Sequence, residues 1–373
     1  MRTKIIKIAE NNYAEALSEP AKALREGKIV AFPTETVYGL GAAWNNAEAV
    51  YNIFKTKGRP QDNPLIVHVA KQEDMKTYFA FWDKLAEALT KDFCPGPFTL
   101  IMPKADHVKS PVTAGLSTIG IRVPSNRIAR ELISLTNVGI AAPSANLSGK
   151  PSPTTLEDCV EDLEGKVEYI IDGGDCEFGV ESTIVSWDGE VLKLLRPGAI
   201  SEADIKAVLD RNSIDVELID KTGKLLSEDE KPEAPGMKYR HYAPKAEVNI
   251  ITGSNVEEKL DYINKIITNG NFDRIGLLIS ETLAACFRSE FSNKEEYNLI
   301  KNMVTFRKDE RNQEAAHNLF KSFRIMDREN LDLILVEAVD EIGSGKAFMN
   351  RLRKASAKGD LWHENKKIFW FWF

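Results

Sequence analysis

Through residues 1–210, short β-branched apolar runs alternate with longer stretches in which apolar residues recur every three or four positions. The first pattern fits buried strands and the second fits amphipathic helices. KIVAFPT, PLIVHVA, FTLIMPK, TIGIRVPS, GIAAPSAN, EYIIDGG, STIVSW and EVLKLLRPG read as strands or strand ends. AEALSEPAKALREG, NAEAVYNIFKTKG, WDKLAEALTKDF, RIARELISLTN, TTLEDCVEDLEG and SEADIKAVLD read as helices. This interleaving predicts an α/β or α+β domain around a large mixed sheet. Proline and glycine gather at the strand ends, where turns and sites usually fall.

Residues 211–245 break the pattern. They are polar, carry an acidic run and three prolines, and show weak periodicity. A segment this long without clear elements reads as a linker or a functional lid. From residue 246 the alternation resumes with VNIITGS, NVEEKLDYINKIITNG and RIGLLIS. It closes with DERNQEAAHNLFKSFRIMDREN, LDLILVEAV and AFMNRLRKASAK. This second unit, 246–373, is expected to be a small Rossmann-like α/β domain.

The 373 residues suffice for two domains with sizeable cores. A formal charge of −7 argues against a protein that coats nucleic acid, while leaving room for a local basic cleft. Cys94, Cys159, Cys176 and Cys286 are far apart and form no CxxC pair, so neither a zinc ribbon nor a disulfide framework is indicated. They suit a reducing compartment, and the cytoplasm is expected. MRTKIIKIAE lacks the apolar core of a signal peptide, and no apolar run approaches the length of a membrane span. The aromatic tail IFWFWF, 368–373, is too short to cross a bilayer.

Candidate chemistry concentrates in KTKGRPQDNPLIVHV, 55–69. Lys55, Lys57 and Arg59 lie within five positions, ahead of Asn63 and an apolar run that carries His68. Three cations this close call for an anion unless they are fully solvated. PTETVYGLG, 33–41, sets Thr34, Glu35 and Thr36 just after an apolar strand. TIGIRVPS buries Arg122, whose fork suits a carboxylate or phosphate, with a structural ion pair as the alternative. APSANLSGKPSPTT, 142–155, is dense in the donors that anions need, although an ordinary turn would look alike. GVESTIVSW and LLRPG add Ser182, Thr183 and Arg196.

Other motifs fail. GSGKA, 343–347, has Asp340 where a phosphate loop needs its first glycine and Ala347 where it needs Ser or Thr. GLGAAW, 39–44, lacks the third glycine of a dinucleotide fingerprint. No HExxH, no GxSxG and no Cys/His metal spacing occurs, so no metal ligands are expected. A donor-rich site with several cations and no obvious nucleophile suits phosphoryl or nucleotidyl transfer by positioning and charge neutralisation.

In order along the chain, PTETVYGLG, KTKGRP with NPLIVHV, CPGPFTLI, IGIRVP, PSANLSG, STIV, RPG and GMKYRHYAP resemble the YrdC-like family. The two-domain layout resembles its long form, the threonylcarbamoyl-AMP synthases, and GSGKAFMNRLRKAS, 343–356, resembles the closing signature of that form's second domain. The resemblance covers nearly the whole chain and implies a YrdC-like twisted mixed sheet with flanking helices, followed by the Rossmann-like domain. It implies an enzyme that converts L-threonine, bicarbonate and ATP into threonylcarbamoyl-adenylate and pyrophosphate. Mg²⁺ would accompany ATP, and the transferase machinery that modifies tRNA would receive the adenylate. A weak contact with tRNA is allowed.

By the same resemblance Thr36, His68, Arg122 and Ser182 would hold threonine, helped by the backbone around Ala142. Arg59, Asn63, Thr118, Ser144, Ser152 and Arg196 would hold ATP. Lys57 and Asn146 complete the K-x-R and S-x-N elements, with Lys57 and Arg59 as the catalytic cations and Asn146 on the ATP side. His241 and Tyr242 would close over the adenylate from the linker. Two rivals stand beside this reading. A carbamoyl-adenylate-forming carbamoyltransferase would bring zinc-finger cysteine pairs and an acylphosphatase segment, both absent here. A structured-RNA-binding module sits poorly with the acidic net charge.

Overall fold

A computed structural model of the chain describes residues 2–356, apart from 10–11, 110, 224–229, 238–241, 269–271 and 310–311. His241 and the aromatic tail lie outside the described residues.

The first domain opens with β1 (Lys4–Lys7), α1 (Tyr13–Arg25), β2 (Val30–Phe32), β3 (Gly39–Ala43), α2 (Ala47–Lys57) and β4 (Ile66–His68). It continues through α3 (Gln72–Met75), α4 (Lys84–Phe93), β5 (Phe98–Pro103), β6 (Thr118–Arg122), α5 (Arg127–Thr136) and β7 (Ile140–Ala141). It ends with α6 (Leu156–Leu163), β8 (Tyr169–Asp172), β9 (Thr183–Trp187), β10 (Leu192–Arg196), α7 (Glu202–Arg211) and β11 (Leu218–Asp220). The strands join one mixed sheet in the order β1-β8-β2-β3-β7-β4-β6-β5-β9-β10-β11. Leu17, Leu24, Phe32 and Leu132 pack one face under α1 and α5, while Leu40, Ile53, Val67 and Leu100 belong to the larger core.

Three elements depart from the sequence reading. KIIK, a short strand with one buried residue, pairs along β8 as β1. GLGAA, rejected as a dinucleotide fingerprint but not read as a strand, is the fully buried β3, where a side chain at Gly41 would meet Ile140 at 2.6 Å and Phe32 at 2.7 Å. LID, inside the segment read as linker, pairs with β10 as β11.

Local chemistry sets where the site residues emerge. Asn46 caps α2 by accepting from the Ala49 amide, and Gly58 ends it in the left-handed region at φ 63°. A residue with a Cβ is strained there, so this glycine lets the chain turn between Lys57 and Arg59. Parallel pairing of β4 with β6 then sets His68 opposite Arg122.

The second domain comprises β12 (Glu247–Ile251), α8 (Val256–Thr268), β13 (Ile275–Ser280), α9 (Glu281–Phe291), β14 (Ile300–Phe306), α10 (Gln313–Arg328), β15 (Leu333–Glu337) and α11 (Gly345–Ser356). Its four strands are parallel in the order β12-β15-β13-β14, the wound arrangement expected for a Rossmann-like unit. α8 and α9 pack with one apolar cluster and α10 and α11 with another. The latter also takes in Val37, Val180 and Tyr242, so the second domain docks on the first through α10 and α11. Ion pairs cross the same boundary, including Arg324–Asp162 at 2.7 Å, Lys321–Asp175 at 2.8 Å and Lys346–Asp220 at 2.6 Å.

Candidate active site

The polar ends of β2, β4, β6, β7, β9 and β10 surround a pocket of about 710 Å³, counted with its open mouth. Thr36, Lys57, Arg59, His68, Arg122, Ala142, Ser144, Asn146, Arg196 and Tyr242 all line it, although they span some 200 positions of sequence. Thr34, Glu181, Pro235 and Gly236 line it as well.

One wall is built within the first domain. The Thr34 hydroxyl donates to the Val37 carbonyl at 2.6 Å and accepts from the amides of Thr36 and Val37, which fixes the turn after β2. Arg122 donates to Glu35 at 2.7 Å, both side chains being almost fully buried. The structural pairing weighed for this arginine is therefore present, and it leaves the Nε proton without a partner among the described residues. Burial and the charge of Arg122 push His68 down to about 3, so its ring is neutral near pH 7. Its Nδ1 has no partner among the described residues.

The facing wall carries the S-x-N loop. Lys57 is buried and donates to the carbonyls of Ser144, at 2.5 Å, and Asn146. Burial and neighbouring Arg59 push its ammonium well below the usual lysine range. Lys57, expected as a catalytic cation, thus spends its donors on holding the loop. Asn146 uses its amide to bridge the carbonyls of Leu147 and Lys150, both at 2.9 Å, and accepts from the Ser144 hydroxyl. Arg59 reaches the Pro64 carbonyl at 3.1 Å. Arg196 grips Ser182 twice at 3.0 Å, through the carbonyl and the hydroxyl, and burial lowers it to about 10.

Four expected ligand residues do not reach the pocket surface. Ser182 is fully buried and shares its hydroxyl with Arg196 and Thr99. Ser152 is fully buried and donates to Glu181 at 2.6 Å. Thr118 faces a separate small cavity with Leu65 and Pro235. Asn63 is buried beside Arg59, and its amide finds no partner among the described residues. Tyr242, from the linker, is buried with its ring stacked on Phe320 at 5.2 Å.

Sequence reasoning passed over Glu181, Arg351 and Lys354. Arg351 on α11 is fully buried and donates to Glu181 at 3.1 Å, across 170 positions. Against the opposing push of burial, Arg351 and Arg196 hold the Glu181 carboxyl below its usual range. Nothing local in VESTIV or NRLRKAS signals that pairing. Among the described residues, no three His, Cys, Asp or Glu side chains converge to hold a metal ion. The carboxylates flanking the pocket, Glu35 and Glu181, are each matched to an arginine.

Comparison with known proteins places this geometry. A family model described as "Telomere recombination" matches residues 22–198, and one described as "Threonylcarbamoyl-AMP synthase, C-terminal domain" matches 200–357. The chain is 43% identical to the threonylcarbamoyl-AMP synthase of Pyrococcus abyssi, over 95% of this chain and 98% of that one. It is 40% identical to the Bacillus subtilis enzyme of the same name, over 91% and 92%. A crystal structure of P. abyssi Sua5 complexed with L-threonine superposes with a TM-score of 0.83 at 41% identity, covering 95% of this chain and 98% of the other. The chain belongs to the threonylcarbamoyl-AMP synthase family, in its two-domain form, and is an enzyme of that activity.

Proposed function

We propose that this pocket joins L-threonine, bicarbonate and ATP into threonylcarbamoyl-AMP, releasing pyrophosphate, and that the product is passed to the machinery that modifies tRNA. The observation that carries the reading is that one pocket gathers two sets of polar groups. Thr36, neutral His68, Arg122 and the Ala142 backbone form a compact wall suited to an amino acid. Arg59, Ser144, Asn146 and Arg196 form a cationic, donor-rich wall suited to a nucleotide. The relative solved with L-threonine supports the first assignment.

The chemistry follows from these groups. Threonine's ammonium sits near Arg122, and a neighbouring cation favours loss of its proton. The free amine attacks the carbon of bicarbonate, and loss of water leaves a carbamate anion. A carbamate oxygen attacks the α-phosphorus in line, the bond to the bridging oxygen breaks, and pyrophosphate leaves with that electron pair. Arg59 and Arg196 offset the charge that develops on the phosphate oxygens, so no enzyme nucleophile is required. Among the described residues no cage of carboxylates converges on the pocket, so Mg²⁺ would be carried by ATP itself and would supply further charge neutralisation at the phosphates. Both the carbamate and the mixed anhydride are labile in water, which gives the cover formed by Gly236 and Tyr242 a purpose.

The test is isotopic. With carbon-labelled bicarbonate, mass spectrometry should find the label in a product that contains both threonine and AMP. An unlabelled threonyl adenylate would overturn the reading.

A further inference from the structure

The signature GSGKAFMNRLRKAS is not a phosphate loop, and the fold shows what its residues do. Lys346, where a phosphate loop would place its lysine, pairs with Asp220 at 2.6 Å and Glu202 at 3.2 Å on the first domain. Gly345 starts α11 so close to Asp340 that a Cβ would lie 2.0 Å from its carbonyl oxygen. One and a half turns further on, α11 delivers Arg351 to the back of the nucleotide wall.

We propose that Arg351 is a positioning residue for ATP, reaching from the second domain through Glu181 to the nucleotide wall. This deepens the assignment above and rests on it. Its Nε donates to Glu181 at 3.1 Å, and its Nη1 donates to the carbonyl of Pro197, the residue after Arg196. Its guanidinium also lies 5.9 Å from the centre of the Tyr242 ring. Glu181 in turn takes the one proton of Ser152 at 2.6 Å. One buried guanidinium thereby ties together the end of β10, the Ser152 loop and the linker cover. Lys354, a turn later, secures the same cover by donating to the Gly236 carbonyl at 2.7 Å.

Simple adhesion explains this poorly. Removing both an arginine and a glutamate from water is costly, and apolar side chains of like volume commonly hold such an interface as well or better. What the pair supplies is charge control and orientation at the pocket. Glu181 faces the space assigned to a polyanion, and Arg351 neutralises it from behind. Without Arg351, Arg196 would have to offset this carboxylate as well as the nucleotide, and the unbalanced charge would repel the phosphates. The threonine wall would be spared, because Glu35 holds Arg122 without help from the second domain.

The test uses the full chain and isothermal titration with ATP–magnesium and, separately, L-threonine. Arg351→Met should weaken ATP binding at least tenfold and leave threonine binding within twofold. Adding Glu181→Gln, which removes the charge but keeps an acceptor for Ser152, should restore most of the lost ATP affinity. Arg328→Met removes an interface cation whose ion pairs among the described residues are with Asp158, Glu157 and Glu161, so it should lower the melting temperature without this selective loss. Equal weakening of both ligands by Arg351→Met, or no restoration in the double variant, would overturn the proposal. Should Arg351→Met fail to fold, the double variant must fold and bind ATP, and its failure counts equally against the idea. Absence of ATP binding by the unaltered chain would instead overturn the nucleotide assignment itself, and this inference with it.

Discussion

The two walls of the pocket are anchored differently. On the threonine side, Glu35, His68 and Arg122 are held by β2, β4, β6 and the turn after β2 in the first domain, with Val37 of that turn also joining the apolar cluster shared with the second domain. On the nucleotide side, Lys57 holds the S-x-N loop from within the first domain, and further supports come from across the domain boundary. Arg351 holds Glu181 and Pro197, and Arg324 on α10 holds Asp162 at 2.7 Å and the Pro151 carbonyl at 2.6 Å. Asp162 then accepts from the Leu147 amide at 3.2 Å, inside the S-x-N loop. The contrast teaches that the second domain completes the support of the nucleotide site instead of standing apart from it.

The sharpest way to break the contrast is Arg122→Ala. It removes the expected carboxylate clamp and leaves Glu35 buried without its ion pair. Threonine binding should weaken by about 2–4 kcal/mol, the range for truncating a buried charge pair, with ATP binding little changed. Calorimetry with each ligand decides it, and equal losses would show that the walls are not separable.

Gly179→Ala probes the boundary. Gly179 lies at φ +71°, and a Cβ there would meet the His317 carbonyl oxygen at 2.3 Å. The overpacking should cost ~1–3 kcal/mol of stability. Because His317 sits on α10 and the neighbouring Phe178 amide donates to the Glu35 carbonyl, the strain should reach both ligands, and threonine affinity should fall along with ATP affinity. A thermal melt beside the two titrations checks this.

A smaller effect is expected from Ser144→Ala. The hydroxyl donates to Asn146, so its loss both loosens the loop and removes a group facing the nucleotide. Turnover should fall about tenfold, with little change in melting temperature. Wild-type turnover would return this loop to the status of an ordinary turn.

The remaining predictions are titrations, and both have the same sign. His68 is lowered from 6.5 to about 3, so between those values the unfolded chain binds more protons than the folded one. Its contribution is present above pH 6.5 and is lost as pH falls toward 3. Lys354, on the other wall, is lowered by burial and by Arg351 and Arg196 from 10.5 to about 7. Stability linked to it should therefore rise as pH climbs from about 7 toward 10.5. Denaturant melts across pH should lose the acid slope in His68→Gln and the alkaline slope in Lys354→Met.

Much of this was legible in the chain. PLIVHVA and TIGIRVPS declared themselves as strands, and their pairing explains why His68 and Arg122 meet. The cations of 55–59 and the donors of 143–149 point to an anion by their composition alone. Buried GLGAA went unread as a strand because small residues carry no periodic signal and the need for glycine came from Phe32 and Ile140. The pairs Arg351–Glu181 and Arg324–Asp162 span 170 and 162 positions, and a local pattern cannot encode them. Lys57 looked like a free catalytic cation for the same reason: the carbonyls it serves lie 87 and 89 residues away.

The most direct measurement of the activity is an omission assay of pyrophosphate release by the unaltered chain. With ATP and magnesium present, release should require threonine and bicarbonate together and collapse to background when either is left out. Release that proceeds with threonine alone, or with neither, would contradict the account.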